Sequence, residues 1–93
     1  MTIGNLQVEL FLSEPQSLKE KRMVLKSLKT RLRNNFNIAV SELDYHEKWQ
    51  KTLLGIVSIN NKRRDLDAMF SHIINFIEKE ERVEIVDYSI ELL

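Results

Sequence analysis

Apolar and polar residues alternate at the start of the chain, from Thr2 to Leu12. The apolar residues at every second position are Leu6, Val8, Leu10 and Leu12. A period of two predicts a β-strand with one buried face. Between Ser17 and Phe36 the period lengthens to three, four and seven residues, at Leu18, Leu25, Leu28, Leu32 and Phe36. This longer period predicts an amphipathic helix that buries one stripe.

Local signals define both ends of this helix. Ser13 to Gln16, which includes the only proline of the chain, forms a connector before it. Ser17 and Glu20 then match the capping box Ser-x-x-Glu, in which each side chain can bond the backbone N–H of the other residue. Asn34 and Asn35 suit the C-terminal end. The sequence therefore predicts that the helix begins at Ser17.

The remaining pattern predicts three strands and a second helix. The strands cover Phe36–Asp44, Thr52–Ile59 and Val83–Leu93, with a polar connection at Tyr45–Lys51. The third strand is apolar almost throughout, as expected of a central strand. After a polar loop at Asn60 and Asn61, the second helix runs to about Lys79, with an apolar face of Leu66, Met69, Phe70, Ile73, Ile74 and Ile77.

The predicted order of elements is β-α-β-β-α-β. Two split β-α-β units with right-handed crossovers give the ferredoxin-like α+β sandwich, a four-stranded antiparallel sheet with both helices on one face. No linker or low-complexity tract interrupts the 93 residues, so we expect a single domain over residues 1–93.

Composition excludes cysteine chemistry and indicates where in the cell the protein is expected. The chain has no cysteine, which excludes disulfides, thiolate nucleophiles and cysteine metal sites. No apolar run approaches the length of a membrane span, and Gln7 and Glu9 interrupt the first apolar stretch, so we expect neither membrane insertion nor export. A cytoplasmic location is the corresponding expectation.

Charge is distributed unevenly within a chain whose net charge is zero. Seven basic residues and one acid lie between Ser17 and Phe36, so this segment carries +6 and the rest of the chain −6. Five of the cations recur every three or four residues and form a second stripe on the helix, which we call the basic stripe: Lys19, Arg22, Lys26, Lys29 and Arg33. A single-signed helix face is atypical of an ordinary solvated surface and indicates an anionic partner.

A second cluster of cations begins the second helix, at Lys62, Arg63 and Arg64. In the predicted fold the two helices run antiparallel. The cluster is therefore expected near the Arg33 end of the first helix, where Arg63 and Arg64 would extend the basic stripe.

The open face of the predicted sheet does not suit base stacking. RNA-recognition domains of this topology stack bases on aromatic residues of the central strands. The third strand has no aromatic residue, and Glu9, Asp87 and Glu91 are expected on the open face, where they would repel phosphates. If nucleic acid binds, we expect the helical face to bind it through phosphates and shape.

Three other features resemble parts of known kinds of site. Glu42, Asp44 and His46 alternate, and on one side of a strand they could hold a metal or form an acid–base pair, although a polar strand end is the favoured interpretation. Trp49 could stack on an exposed base, but a role in closing the end of the core is favoured. The loop after the first strand, Ser13–Gln16, lacks the arginine and glycine of a phosphatase anion loop. We therefore expect no enzyme, metal or cofactor.

The chain resembles the YlxP-like family, a bacterial domain of unknown function. The resemblance spans most of the sequence and is carried by the blocks Ser17–Arg22, Phe36-Asn37, Val40–Glu42 with Asp44, Trp49-Gln50 and Leu54-Gly55. It implies a ferredoxin-like α+β fold, and genes often placed among those for translation initiation, transcription elongation and ribosome maturation. It implies no reaction.

These observations favour a non-enzymatic module that binds RNA or a ribosomal particle through the basic stripe, with Arg63 and Arg64 assisting. Two alternatives remain. The acidic surface of the fourth strand or a free sheet edge could support protein interaction or a homodimer. The less favoured alternative is a metal or hydrolase site at Glu42, Asp44 and His46.

Overall fold

A computed structural model describes all 93 residues of the chain. Six elements follow one another in the predicted order: β1 (Thr2–Phe11), α1 (Leu18–Asn35), β2 (Ala39–Asp44), β3 (Lys51–Asn60), α2 (Arg63–Glu78) and β4 (Glu84–Leu92). The four strands form one sheet in the order β2-β3-β1-β4, and every neighbouring pair is antiparallel. The predicted ferredoxin-like sandwich is confirmed.

The core lies between the sheet and the two helices. Even-numbered residues of β1 from Leu6 onwards are fully buried, as the period of two predicted. The core also contains Leu54 and Ile56 of β3 and five residues of the predicted apolar face of α2. From α1 it takes Val24, Leu25, Leu28 and Leu32, while Phe36 and Met69 are half-buried against it and Leu18 is half-buried. Phe36 and Phe76 meet edge to face, with ring centroids 5.7 Å apart, and link the C-terminal end of α1 to that of α2.

The start of α1 follows the predicted cap with one change. The Glu20 N–H donates to Ser17 Oγ at 3.1 Å, which satisfies one of the N–H groups that the first turn leaves free. The Glu20 carboxylate, however, accepts from the Gln16 N–H at 2.7 Å rather than from Ser17. The capping box therefore also holds the connector against the helix.

Two β-bulges alter the edge strands. The register of β2 against β3 shifts between Glu42 and Asp44, and that of β4 against β1 shifts where Glu9 and Leu10 pair with Asp87 and Ile85. The second bulge places the extra residue at Val86, so the residues of β4 alternate regularly between the two faces only after Val86. Bulges at sheet edges bend a strand and interrupt regular pairing.

Candidate nucleic-acid interface

The basic stripe of α1 is exposed along the helix. Lys19, Arg22, Lys26 and Arg33 are exposed and Lys29 is half-buried, and none of the five takes part in an ion pair. From the first to the last, the stripe spans fifteen residues, or fourteen steps, which is about 21 Å at 1.5 Å per residue. Its members lie within about 80° of one another at 100° per residue. The structure therefore presents a continuous row of cations without internal counter-ions.

Lys21, although basic and next to the stripe, does not belong to it. It is 1% exposed, its ammonium lies 2.9 Å from Glu42 Oε2, and it donates to the Tyr45 carbonyl at 2.6 Å. Lys21 is one of the seven basic residues between Ser17 and Phe36. A signal for its burial was present in the sequence, because position 21 falls between Leu18 and Leu25 on the apolar stripe.

The buried ammonium organises the start of the hairpin between β2 and β3. Tyr45 has φ of 66°, the left-handed region, which costs a residue with a side chain on the order of 1 kcal/mol. This conformation aims its carbonyl at Lys21. Thr52 Oγ1 donates to Glu42 Oε2 at 2.5 Å. Burial raises the pKa of Glu42, but hydrogen bonds from Thr52 and Lys21 outweigh burial and leave the pKa below its ordinary value.

A second ion-pair cluster contacts α1 on the side that carries Ser27 and Arg31. Glu80, just after α2, accepts from Arg82 Nε at 2.8 Å and also pairs with Arg31, whose guanidinium lies over the Phe76 ring at 5.9 Å. The hydrogen bonds from Arg82 and Arg31 hold the pKa of Glu80 at about 2, against an ordinary value of 4.5. Arg31, like Lys21, is therefore paired with an acid and is not a free cation.

The stripe faces away from α2. Ser27 and Arg31 of α1 contact Arg82 and Glu80, so their side of the helix faces the C-terminal end of α2. At 100° per residue, the centre of the basic stripe lies roughly 140° around the helix from that side. The stripe consequently borders solvent on the side of α1 that is remote from α2.

The prediction that Arg63 and Arg64 extend the basic stripe is wrong, because the two residues lie away from the end of α1. Phe36, at the end of α1, contacts Phe76, which lies thirteen residues after Arg63. Thirteen helical residues measure about 20 Å. The start of α2 is thus remote from the end of α1. Arg63 and Arg64 are exposed but form a separate patch, in which Arg64 Nε lies 4.0 Å from Asp65 Oδ1.

The hairpin after β2 adds an exposed aromatic residue near the N-terminal end of the stripe. Trp49 is 51% exposed and borders a shallow depression with Phe11, Lys48 and Lys51, so the favoured prediction that it closes the core is wrong. The contact of Lys21 with Tyr45 fixes the hairpin against the first turns of α1, where the stripe begins. Trp49 and the first residues of the stripe therefore lie towards the same end of the molecule.

The structure separates Glu42, Asp44 and His46. The bulge after Glu42 breaks the alternation on which their grouping depended, and β2 ends at Asp44. Glu42 bonds Lys21 and Thr52, whereas Asp44 Oδ1 accepts from the Tyr45 N–H at 2.7 Å. No group of three histidine, cysteine or acidic side chains is arranged to hold a metal ion. Glu42 has a structural role in this arrangement.

The open sheet face carries an apolar patch that the sequence reasoning missed. Its exposed members are Leu43, Val57, Ile59 and Leu93, next to half-buried Ile3. The acids expected on this face are present, with Glu9 opposite Asp87 and Glu91 opposite Asn5. Phe11, at the end of β1, is the one aromatic residue that β1 and β3 carry. This face therefore lacks the aromatic pair of a base-stacking sheet.

Neither helix is both long and apolar enough to cross a membrane.

Comparisons with known proteins identify the family. The model of a family described as a protein of unknown function (DUF503) matches residues 3–90. The uncharacterized protein YlxP of Bacillus subtilis (strain 168) is 35% identical over 82 residues, which cover 88% of this chain and 89% of that protein. The resemblance noted in the sequence is therefore confirmed, and the chain belongs to the DUF503, or YlxP-like, family.

Proposed function

We propose that this protein is a non-enzymatic module that binds structured RNA, alone or within a ribosomal particle, through the basic stripe of α1. The observation that carries the proposal is that all five stripe cations lack an ion-pair partner, while the other two cations of α1 are paired with Glu42 and Glu80. The helix thus separates cations that support the fold from cations that face solvent.

The shape of the stripe suits a phosphate backbone. A row about 21 Å long on a convex helix can follow several successive phosphates, and lysine and arginine contacts to phosphate supply most of the sequence-independent affinity of nucleic-acid binding. Such contacts position the partner without reading its sequence. The proposal therefore concerns RNA shape and charge rather than a sequence motif.

The hairpin gives the proposed interface a second kind of contact. Trp49 offers a half-exposed ring beside Lys48, and an unpaired base stacked on an aromatic side chain contributes about 1–3 kcal/mol. Lys51 is less available to a phosphate, because its ammonium lies 4.2 Å from the Tyr45 ring centroid and 4.0 Å from Glu9 Oε2. RNA with an unpaired base next to a helix would engage both the stripe and Trp49.

The test is binding of the purified protein to small-subunit ribosomal RNA and to ribosomal particles across a salt series. Five phosphate contacts predict a slope of log affinity against log salt of roughly −3 to −5. The variant Lys26→Glu/Lys29→Glu is expected to abolish binding with an unchanged circular dichroism spectrum. Retention of wild-type affinity by this variant would refute the proposal.

A matched control uses the separate patch on α2. Arg63→Glu/Arg64→Glu changes the net charge by the same amount but lies at the start of α2, about 20 Å along that helix from Phe76, which contacts the end of α1. We expect it to weaken binding far less than the reversal within the stripe. Equal losses from the two variants would show that only net charge matters, and that the stripe is not the interface.

A further inference from the structure

Two aromatic rings border one shallow depression at the end of the sheet that carries the hairpin. Phe11, the last residue of β1, is 40% exposed, and Trp49 is 51% exposed. Both line a depression of about 470 Å³, a volume sufficient for a small aromatic ligand. The two rings do not stack on each other, because the close aromatic pair of the structure is Phe36 with Phe76. The exposed surfaces of Phe11 and Trp49 are therefore available to a ligand.

Hydrogen bonds hold the two segments that carry these rings side by side. The Leu12 N–H donates to the Gln50 carbonyl at 2.9 Å, which extends the ladder between β1 and β3 by one pair. Gln50 Nε2 also donates to the Ser13 carbonyl at 3.2 Å. The residue after Phe11 is thus joined to the residue after Trp49, so the fold sets the backbone positions of both rings.

The turn before Trp49 adds a carboxylate to the same depression. The Lys48 N–H donates to the Tyr45 carbonyl at 3.0 Å, which closes a turn over residues 45–48, and Lys21 of α1 bonds the same carbonyl. Glu47 lies within this turn and lines the depression. Its side chain takes part in no ion pair, so both carboxylate oxygens can accept hydrogen bonds from a ligand.

The charges around the depression favour a base over a phosphate on the rings. Glu84 of β4 lies opposite Phe11, and opposite residues of a ladder share one face of the sheet. Lys51 lies 4.0 Å from Glu9 Oε2, so its charge is offset. These acids repel a phosphate, whereas an uncharged base stacks readily on aromatic side chains. Lys48 is exposed and has no acidic partner, so a phosphate next to the base can contact it.

Guanine is the base that best matches a carboxylate. Its Watson–Crick edge carries two adjacent donors, the N1–H and the N2 amino group, which can bond the two oxygens of one carboxylate. Adenine, cytosine and uracil each place an acceptor next to the donor on this edge, and that acceptor would face a carboxylate oxygen. Unpaired bases are commonly recognised in this way, by stacking together with hydrogen bonds to the Watson–Crick edge.

We propose that this depression binds one unpaired guanine of the RNA, stacked on Trp49 and Phe11, with its Watson–Crick edge on the Glu47 carboxylate. The inference rests on the proposed function, and it gives the interface a preference for one base. The phosphate contacts of the basic stripe cannot supply such a preference, since they carry no sequence information.

RNA helices that are identical except for a single bulged base test the preference. Fluorescence of Trp49, the only tryptophan, follows binding. We expect the bulged guanine to bind roughly tenfold or more tightly than adenine, cytosine or uracil. Inosine, which keeps the N1–H but lacks the N2 amino group, should be intermediate. Equal binding of all these RNAs, lost in Lys26→Glu/Lys29→Glu, overturns the guanine site and leaves the proposed function standing. Absence of binding to every RNA at low salt overturns both.

Glu47→Gln tests the role of the carboxylate. An amide offers one acceptor and one donor, which match the Watson–Crick edge of adenine, so this variant should lose the preference for guanine and gain affinity for the bulged adenine. Glu78→Gln, an exposed position at the end of α2, is the matched control and should keep the guanine preference. A preference for guanine that survives Glu47→Gln overturns the proposal.

Two further measurements test the second ring and the source of the guanine. Phe11→Leu should weaken binding of the guanine RNA several-fold and leave binding of the fully paired helix unchanged, and an equal effect on both RNAs contradicts stacking on Phe11. Guanosine 5′-monophosphate should quench Trp49 only far above the concentration at which the guanine RNA does so, because it cannot reach the stripe. Quenching by the free nucleotide at equal concentration overturns the assignment of the site to bound RNA.

Discussion

The Lys21 ammonium lies 2.9 Å from Glu42 Oε2 in a site where the lysine is 1% exposed and the Glu42 side chain 17%. This pair joins the second turn of α1 to β2. Because Lys21 also bonds the Tyr45 carbonyl, one side chain of α1 contacts both β2 and the hairpin that carries Trp49.

Removing one partner of this pair should cost much more than removing both. Glu42→Leu leaves a buried ammonium without its counter-ion, and we expect a loss of about 3 kcal/mol in the free energy of unfolding. The double variant Lys21→Met/Glu42→Leu should lie within roughly 1 kcal/mol of the wild type, because buried ion pairs are commonly replaceable by apolar side chains. Urea unfolding of the two single variants and the double variant measures the coupling. Strictly additive losses would show that the two side chains do not interact.

Stability at acidic pH should depend on Glu80. Its pKa is about 2 in the folded protein and near 4.5 when unfolded, so the folded state binds this proton less readily. The stabilisation is therefore fully present above about pH 4.5 and is lost as the pH falls towards 2. Because Arg82 and Arg31 are partly exposed and screened, we expect on the order of 2 kcal/mol.

Thermal unfolding of the wild type and Glu80→Gln between pH 2 and pH 7 tests this dependence. Glu80→Gln should be less stable at neutral pH and should lose less stability on acidification. Glu78→Gln, an exposed position at the end of α2, is the control and should follow the wild type. If Glu80→Gln and the wild type have parallel pH profiles, the assignment is wrong.

Trp49→Ala should weaken binding to RNA that contains an unpaired base, with little change in folding stability, because the side chain is half-exposed and outside the core. A loss of about 1–3 kcal/mol is expected for one stacked base. Since Trp49 is the only tryptophan, quenching of its fluorescence reports the same contact directly. Trp49→Phe should retain most of the affinity. Unquenched fluorescence in a saturated complex would contradict stacking.

The two glycines should differ in their tolerance of alanine. A Cβ atom on Gly4 would lie 2.6 Å from Phe70 Cε2 and 2.8 Å from Leu66 Cδ2, both in the buried core. We expect Gly4→Ala to destabilise the fold by about 1–3 kcal/mol through overpacking. At Gly55 the nearest atom is Leu43 Cδ1, on a half-exposed side chain that can move aside, so Gly55→Ala should be close to neutral. Equal losses in denaturant unfolding would contradict this difference.

The elements were predictable because each has a long, regular pattern. The alternation in β1, the cap at Ser17 and the apolar face of α2 are local properties, and the structure confirms all three. The basic stripe was likewise visible, since its spacing alone places its members on one face. The burial of Lys21 was not predicted and the environment of Trp49 was predicted wrongly, because burial of a lysine or exposure of a tryptophan depends on what packs beside it.

The offset between the two helices could not be predicted from the pattern of apolar and polar residues. Antiparallel direction follows from topology, but the offset of α2 along α1 is set by the contact of Phe36 with Phe76 and by Glu80 with Arg31. That offset separates Arg63 and Arg64 from the stripe. The bulge in β2 likewise separates residues that the pattern had grouped. Its extra residue, Leu43, moves Asp44 out of line with Glu42.

The single-signed stripe also has a cost for the fold that carries it. Its five cations form four consecutive pairs at three- or four-residue spacing, and each like-charge pair of this kind opposes helix formation by about 0.2–0.5 kcal/mol. The summed repulsion is on the order of 1–2 kcal/mol. Screening by salt, or neutralisation by any polyanion that occupies the stripe, relieves this repulsion. The melting temperature should therefore rise when a polyanion occupies the stripe, and it should rise less in Lys26→Glu/Lys29→Glu, so it reports occupancy before a natural ligand is identified.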